Sequence, residues 1–217
     1  MKIMFYPVFL NLQNKRCLVV GAGNVACRKI GKLLKAKADI TVVAPDAIKS
    51  VEKLFSENLI KWEKKVYESP EAANYELVVS AVDDWEVSRI VAEDCRKAKI
   101  PVNVVDKPDL CSFIVPATIN KGDITIAISS SGNAPFLTKQ IRMELEKIIP
   151  DYWEQLSEIA SKFRAVVMER YKDNKEAKQN CFKRFFDLDW EVLLSSDNMD
   201  AIDRNLKFIL SESAPHE

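Results

Sequence analysis

The stretch "CLVVGAGNVACRKI", Cys17 to Ile30, joins an apolar run to a charged, periodic segment through two glycines. Gly21 permits a tight turn from a strand into a helix, and Gly23 lets the backbone approach a ligand closely. Ala26 takes the third small position, where it allows the helix to lie against the sheet. A pyrophosphate at this turn would accept hydrogen bonds from the first helical N–H groups, those of Asn24 and Val25. The pattern favours dinucleotide binding over a purely structural turn because strand, turn and helix follow in the required order.

Short β-branched runs alternate with longer charged segments between Cys17 and Val105, which is the order typical of βαβ units on a parallel sheet. The predicted strands are "CLVV", "DITVVA", "IKWEKKV", "YELVVSAV" and "IPVNVV". Helices are predicted over Asn24–Lys37, Ala47–Glu57 and Asp84–Lys99, with only a turn or loop near Glu68–Asn74. Together these elements predict the α/β class, with a Rossmann-like doubly wound parallel sheet.

The pattern changes after Val105. Two apolar runs, "SFIVPATI" and "DITIAIS", flank Asn120-Lys121-Gly122, which predicts an antiparallel hairpin whose glycine adopts positive φ. The segment "SSSGNAP" predicts the start of a helix that runs to Ile149 and ends before Pro150. Everything beyond is predicted to be helical, with a solvated interhelical connection at Lys172–Gln179. We therefore expect three parts: a Rossmann domain over 1–112, a hairpin and helix over 113–149, and a helical C-terminal domain over 150–217.

Composition and charge exclude several classes of function. The formal net charge is +0, so the chain has no global field that would attract nucleic acid or an anionic membrane. The 5 cysteines are odd in number and never form a CxxC pair, which predicts neither a disulfide framework nor a metal site. His216, the single histidine, lies in a polar tail and is not expected to act in catalysis. A reducing cytoplasmic location is expected, because the apolar N-terminal patch is interrupted by Pro7 and no later segment is long enough to span a membrane.

The end of the second predicted strand bears on the choice of nucleotide. Ala44 and Pro45 stand in "VVAPDA", where an adenosine would lie, and the acidic residue that usually binds its ribose is missing. Only Asp46 is nearby. No arginine stands there to receive a 2′-phosphate, which favours NAD over NADP. The basic residues that follow the glycine turn are predicted to form a solvated helix face rather than a phosphate or substrate contact: Arg28, Lys29 and Lys32.

Four segments occur in the order found in the siroheme synthase family, which the chain resembles over roughly residues 4 to 150. They are "FYPVFLNLQNKRCLVVGAGNVACRKI", "VVSAVDD", "NVVDKPDLCSFIVPATI" and "AISSSGNAPFLTKQIRMELE". The resemblance implies oxidation of precorrin-2 to sirohydrochlorin with NAD⁺ as hydride acceptor, and a homodimer formed through the hairpin and the following helix. Some members also insert ferrous iron to give siroheme, and the sequence leaves open whether this chain does.

The resemblance also implies roles for individual residues. The aspartate of the family's NVVD motif falls on Asp106, which is implied to handle protons. Independently of the family, Asp106 follows a predicted strand, and ligands of open parallel sheets bind beyond the carboxyl ends of strands. The alternative for Asp106 is a turn cap before Lys107-Pro108. Cofactor contacts are implied for the residues that end the fourth strand, namely Ser80, Val82 and Asp83, whereas Asp84 is expected to be an N-cap.

Precorrin-2, the substrate that the resemblance implies, is a macrocycle with many carboxylates. Its cleft therefore requires positive charge or free N–H groups, even though the chain is neutral overall. The candidates are Lys107 together with Lys139 and Arg142, which share a helix face at i, i+3. Solvated surface charge is the alternative for each of them. Asn103 is either a substrate contact or a residue that orients its loop. Ser130 falls on a serine that the family places at the tetrapyrrole cleft, and the alternative is a serine-rich helix start capped by Ser131 or Asn133.

A second class of function competes with the enzyme. Rossmann domains of this size also serve as non-catalytic NAD-binding redox sensors or regulators, because a fold does not determine a function. A sensor would not need Asp106. The two classes differ in whether NAD⁺ is reduced when precorrin-2 is supplied.

Overall fold

The computed structural model of the chain describes residues 5–195 and 199–212. The chain divides after Val115 into two compact units, and Ser131–Asn133 group with the first of them. The second unit contains Pro116–Ser130 and the residues from Ala134 onward. His216 lies outside the described residues. None of the helices within the described ranges combines the length and apolar character that crossing a lipid bilayer requires.

The first unit is a parallel sheet with helices on both faces. Its elements are β1 (Arg16–Val20), α1 (Asn24–Lys35), β2 (Asp39–Val43), α2 (Lys49–Ser56), β3 (Lys61–Glu63), a 3₁₀ turn (Glu71–Asn74), β4 (Leu77–Ser80), α3 (Trp85–Ala98), β5 (Val102–Val104) and a second 3₁₀ turn (Pro108–Leu110). The strand order is β3-β2-β1-β4-β5, and every neighbouring pair is parallel. The predicted doubly wound sheet is therefore confirmed. The order reverses between β1 and β4, so a ligand crevice is expected at the carboxyl ends of these two strands.

The β-branched runs form strands because both faces of a parallel sheet are buried. Alternate residues of β1 enter different cores: Cys17 and Val19 pack with the residues of α1 and α2, and Leu18 and Val20 pack with those of α3. Each of these four side chains is buried. Strand β3 is shorter than its predicted run because it lies at the sheet edge and only its first half pairs with β2.

The second unit begins with the predicted hairpin. Strands β6 (Ala117–Lys121) and β7 (Ile124–Ile128) are antiparallel, and Gly122 in their turn has φ +56°. Helix α4 (Pro135–Ile148) ends before Pro150, as predicted. The described residues beyond it form α5 (Trp153–Arg170), α6 (Lys175–Phe186), α7 (Trp190–Ser195) and α8 (Met199–Glu212). Their apolar faces enclose a core that includes Phe163, Phe185 and Trp190.

One predicted connection is wrong in part. The sequence predicts a solvated interhelical connection over Lys172–Gln179, but α6 already begins at Lys175. The Asn174 side chain accepts a hydrogen bond from the Ala177 N–H (2.9 Å) and so caps the helix. Ala177 is buried. A cap and one buried small residue are enough to start a helix in a charged segment, because packing outweighs the weak local preference.

Candidate active site

The two glycines of the turn after β1 have different physical roles. Gly21 has φ +103°, and a Cβ added there would lie 2.5 Å from the Ala81 carbonyl oxygen and 3.0 Å from Val82 Cγ1. The ends of β1 and β4 can therefore come together only if residue 21 is glycine. Gly23 has φ −85°, which any residue can adopt, and an added Cβ would meet nothing within 4 Å. The protein's own packing leaves the space above Gly23 free.

Helix α1 begins in this free space. Asn24 is exposed and Val25 is half-buried in its first turn. Gly23 provides no capping side chain, and the first turn contains no acidic residue. Helix N-termini usually receive a Ser, Thr, Asp or Asn cap, and their N–H groups favour anions. An uncapped helix start beside a glycine fits the pyrophosphate of a dinucleotide.

The end of β2 lies next to the glycine turn. The Ile48 N–H donates to the Ala22 carbonyl oxygen (3.1 Å), which joins the segment after β2 to the turn. The Ala44 carbonyl oxygen accepts a hydrogen bond from Trp62 Nε1 (3.0 Å), so it is already satisfied by the protein. Pro45 and Asp46 are exposed. Any contact that Ala44 makes to a cofactor would therefore use groups other than its carbonyl oxygen.

The end of β4 offers an unsatisfied hydroxyl group. Ser80 is only 1% exposed, and its Oγ is a buried side-chain polar atom without a hydrogen-bond partner among the described residues. Such a group costs free energy unless a ligand or water pairs with it. Val82 is half-buried and Asp83 is exposed on the segment that follows. Asp84 caps α3 as predicted, because its Oδ1 accepts hydrogen bonds from Glu86 N–H (2.8 Å) and Val87 N–H (3.2 Å).

Asp106 stands at the carboxyl edge of the same sheet, just beyond β5. Its φ is +58°, a left-handed conformation that aspartate tolerates better than most residues. The residue is exposed, and no hydrogen bond or ion pair within the described residues uses its carboxylate. The neighbouring Val105 N–H donates to the Ser80 carbonyl oxygen (2.9 Å), so the ends of β4 and β5 are joined. The carboxylate does not serve as a turn cap and is available to a ligand.

Residues 105–113, here called the Asp106 loop, fold back along the outer edge of β5. The Val104 N–H donates to Cys111 Sγ (3.1 Å), and the Val102 N–H donates to Ser112 Oγ (2.8 Å). These side chains satisfy the backbone groups of an edge strand that would otherwise be unpaired. Burial raises the pKa of the Cys111 thiol, which keeps it protonated near neutral pH.

Two side chains attach the Asp106 loop to its surroundings. Lys107 Nζ donates to Ser88 Oγ on α3 (2.8 Å) and lies 5.3 Å from the centre of the Trp85 ring. Buried Asn103 donates from Nδ2 to the Phe113 carbonyl oxygen (3.1 Å). The sequence predicts substrate contacts for both Lys107 and Asn103, and their polar groups are engaged within the protein. Their substrate role stays a prediction.

Lys29 lies at the site, although the sequence predicts a solvated helix face for it. Lys29 Nζ donates to Asn103 Oδ1 (3.1 Å), so α1 is connected to β5. Burial is the largest effect on the pKa of Lys29 and lowers it, and the positive charges of Lys32 and Arg28 lower it too. The Cys111 thiol, once it ionises, and the Asp106 carboxylate raise it. A sequence signal existed: Lys29 is three residues after Ala26, next to the buried stripe of α1.

Three predicted substrate residues lie in the second unit. Ser130 Oγ accepts a hydrogen bond from the Ala134 N–H (2.9 Å), directly before α4 begins. Lys139 is exposed, and Arg142 forms an ion pair with Glu146 one turn further along α4. Their role in binding substrate carboxylates stays a prediction.

Fold and site together define a Rossmann-type dinucleotide-binding domain with an acidic residue at the carboxyl edge of its sheet. Residues 8–117, just over half of the chain, match the protein family described as "Putative NAD(P)-binding". The chain belongs to this NAD(P)-binding family. Residues 121–148, which contain the hairpin turn, β7 and α4, match the family described as "Sirohaem biosynthesis protein central".

Curated relatives carry the name siroheme synthase. The chain is 40% identical over 191 residues to the protein of Ruthia magnifica, a match that covers 88% of this chain and 39% of the relative. It is 43% identical over 160 residues to the protein of Saccharophagus degradans, covering 74% of this chain and 35% of that one. The chain thus spans about two fifths of the length of the curated relatives that it matches. The resemblance that the sequence motifs indicate is confirmed.

A solved structure shows the same fold. The protein named "SirC, precorrin-2 dehydrogenase" superposes with a TM-score of 0.75 and 24% sequence identity. The superposition covers 96% of this chain and 98% of the other. The Rossmann-like sheet, the hairpin and the C-terminal helices therefore belong to a known fold.

Proposed function

We propose that the chain is an NAD⁺-dependent precorrin-2 dehydrogenase that forms sirohydrochlorin in siroheme biosynthesis. One observation carries the proposal: the unpaired carboxylate of Asp106 stands at the same sheet edge as the open glycine turn. The names of the siroheme synthase relatives and of the structural neighbour support the choice of substrate.

The residues of the first unit fit a bound dinucleotide. The free space above Gly23 and the uncapped start of α1 fit the pyrophosphate. Ser80 Oγ offers an unsatisfied hydroxyl group at the switch point between β1 and β4, where the nicotinamide end would lie. The lack of an arginine after β2 favours NAD over NADP. The proposed cofactor contacts are Gly21, Gly23, Asn24, Val25, Ala44, Pro45, Ser80, Val82 and Asp83.

Asp106 handles the proton in this proposal. Oxidation of the macrocycle breaks bonds to hydrogen at neighbouring positions, so that one hydrogen leaves as a hydride and the other as a proton. Bound NAD⁺ supplies the hydride acceptor. The Asp106 carboxylate accepts the proton and, because it is exposed, can release it to solvent. Electrons and protons balance without a further reactant.

The many carboxylates of precorrin-2 need cationic partners. Lys107, Lys139 and Arg142 remain the proposed contacts, together with Asn103 and Ser130. Arg142 also pairs with Glu146 on its own helix. A ligand carboxylate that replaced the Glu146 carboxylate would gain a bidentate partner in the Arg142 guanidinium.

A second copy of the chain is the proposed partner. Helix α4 exposes Leu137, Ile141 and Ile148, which recur at i, i+4 and i+11 and form one apolar stripe. An apolar stripe left in water is typical of a surface that another protein covers. The match of residues 121–148 to a segment shared among sirohaem biosynthesis proteins supports a common role for this element.

Insertion of Fe²⁺ into sirohydrochlorin is a separate activity. The macrocycle nitrogens would hold most of the metal's coordination sphere, so the reaction does not require a cluster of protein ligands. The proposed compartment is the cytoplasm, in agreement with five free thiols.

The test is to mix the purified chain with precorrin-2 and NAD⁺ and to follow NADH formation together with the macrocycle spectrum. Stoichiometric appearance of NADH and sirohydrochlorin supports the dehydrogenase. Tight NAD⁺ binding in calorimetry without NADH formation would instead support the non-catalytic sensor. Adding Fe²⁺ to the sirohydrochlorin product then measures chelation on its own.

A further inference from the structure

Lys29 is a half-buried cation on α1 that the proposed chemistry does not use. Its ammonium group donates a hydrogen bond to Asn103 Oδ1 (3.1 Å) and so connects α1 to β5. Asn103 is 7% exposed and uses its other side-chain polar atom, Nδ2, to hold the Phe113 carbonyl oxygen. Lys29, Asn103 and Phe113 therefore form a chain of contacts that ends on the Asp106 loop.

We propose that Lys29 is a positioning residue for Asp106, acting through Asn103 and through its positive charge. This inference rests on the proposed function, because it assumes that Asp106 accepts the proton. The loop is also attached to α3, where Lys107 donates to Ser88, and to β5 through Cys111 and Ser112. Asp106 directly precedes Lys107 and has a left-handed backbone conformation. Its side chain takes part in none of these attachments. Loss of the Lys29 contact therefore loosens the loop on the α1 side only.

A purely structural role explains the arrangement less well. Placing an ammonium group in a half-buried position is costly unless its charge is used, and the hydrogen-bond partner of Lys29 is a neutral amide. A neutral donor such as glutamine would satisfy Asn103 without that cost. Burial is the largest effect on the pKa of Lys29 and lowers it, whereas the negative charge of Asp106 has a smaller, opposing effect. The hydrogen bond to Asn103, which itself holds the Asp106 loop at Phe113, connects Lys29 to the site.

The experiment compares Lys29→Met, Lys29→Arg and the wild type in steady-state oxidation of precorrin-2 by NAD⁺. Lys29→Met keeps the length of the side chain but removes the charge and the donor. We expect kcat to fall roughly 10²-fold, the loss typical of a misplacement by about 1 Å, while KM and the calorimetric Kd for NAD⁺ stay unchanged. Lys29→Arg restores the charge and the donor and is expected to recover most of kcat. Lys49→Met, which removes an exposed lysine of α2, is the matched control and should behave as wild type.

A pH profile separates positioning by charge from simple packing. The charged groups that affect the pKa of Lys29 are Lys32 and Arg28 on its own helix and Asp106 on the loop, and the Cys111 thiol on the loop is a titratable group that also affects it. The pKa of Lys29 is lowered, so its ammonium is lost at a lower pH than that of an exposed lysine, about 10.4. Turnover of the wild type should fall as that charge is lost. Lys29→Arg stays charged and should keep its turnover to higher pH.

The outcomes are distinguishable. If the wild type turns over and Lys29→Met is equally fast, the inference is overturned and the proposed function stands. The inference is also overturned if wild type and Lys29→Arg have identical alkaline limbs, a comparison that is informative even when Lys29→Met does not fold. A wild-type chain that binds NAD⁺ but never forms NADH overturns both proposals.

Discussion

Gly21 and Ala81 meet so closely at the ends of β1 and β4 that a Cβ on Gly21 would lie 2.5 Å from the Ala81 carbonyl oxygen. Gly23, two residues later, has open space around the same position. The two glycines of one motif therefore have separate consequences. Substitution of the first tests the fold, and substitution of the second tests the cofactor site.

We predict that Gly21→Ala and Gly23→Asp separate stability from binding. Gly21→Ala should lower the free energy of unfolding by more than about 1 kcal/mol, because φ +103° and the Ala81 contact both exclude a side chain. Gly23→Asp should unfold like the wild type but bind NAD⁺ far more weakly, because a negative side chain fills the pyrophosphate position. Urea denaturation and calorimetry measure the two effects. Normal NAD⁺ affinity in Gly23→Asp would remove the basis for the cofactor placement.

Asp106→Asn is predicted to lower kcat by about 10²- to 10⁴-fold, the usual contribution of a general base. Asparagine tolerates φ +58° as well as aspartate does, so only the charge and proton affinity change. NAD⁺ affinity should be retained. Asp109→Asn, an exposed aspartate on the same loop, is the control and should turn over normally. If Asp106→Asn is as fast as that control, the proton is taken by another group.

Tyr67→Phe is predicted to destabilise the first unit by about 1 to 3 kcal/mol, the cost of leaving buried polar groups unpaired. The Tyr67 hydroxyl donates to Asp94 Oδ2 (2.8 Å) and accepts from the Ala72 N–H (3.1 Å). Both tyrosine and aspartate are buried. The variant should bind NAD⁺ normally, since the change is confined to the α3 face of the sheet. Tyr75→Phe, which alters a half-buried tyrosine nearby, is the comparison in thermal unfolding; equal midpoints for the two variants would contradict the prediction.

Ile141→Glu is predicted to convert a dimer into a monomer in analytical ultracentrifugation. The charge would stand in the middle of the apolar stripe of α4, between Leu137 and Ile148. Glu146→Gln, which removes a charge from the same helix outside the stripe, should leave the mass unchanged. A wild-type chain that sediments as a monomer at all concentrations would remove this interface from the proposal.

The free energy of unfolding is predicted to decline above pH 9. Burial raises the pKa of Cys17 to about 11 from its ordinary value of 9.0, and negative charges on Glu76 and Asp39 add to the effect. A raised pKa means that the unfolded chain loses this proton first, so stability is full below pH 9 and falls as the pH rises toward 11. The slope is at most about 1.4 kcal/mol per pH unit for one thiol. In denaturation curves across this pH range, the free energy of unfolding of Cys17→Ala should decline less steeply than that of the wild type, whatever the stability of the variant at neutral pH. An unchanged slope would show that another group causes the decline.

The sequence alone determined the fold class, because the signals for it are local. Two glycines after a β-branched run, alternating strands and helices, and an Asn-Lys-Gly turn each depend on backbone conformation and hydrophobic period within a few residues. Asp106 could be selected for the same reason, since it directly follows a strand. The boundary of α6 could not, because a cap at Asn174 and a buried Ala177 outweigh a charged, solvated pattern.

Only the tertiary structure decided which side chains at the site are free and which are engaged. It pairs Lys107 with Ser88 and Asn103 with Lys29, and it leaves Ser80 Oγ and the Asp106 carboxylate without partners in the described chain. The paired residues are many positions apart in sequence and meet only because α1 and α3 pack against the sheet beside β5 and the Asp106 loop. Whether a charged group faces solvent, a neighbouring residue or a ligand depends on these long-range contacts. No local sequence pattern encodes them.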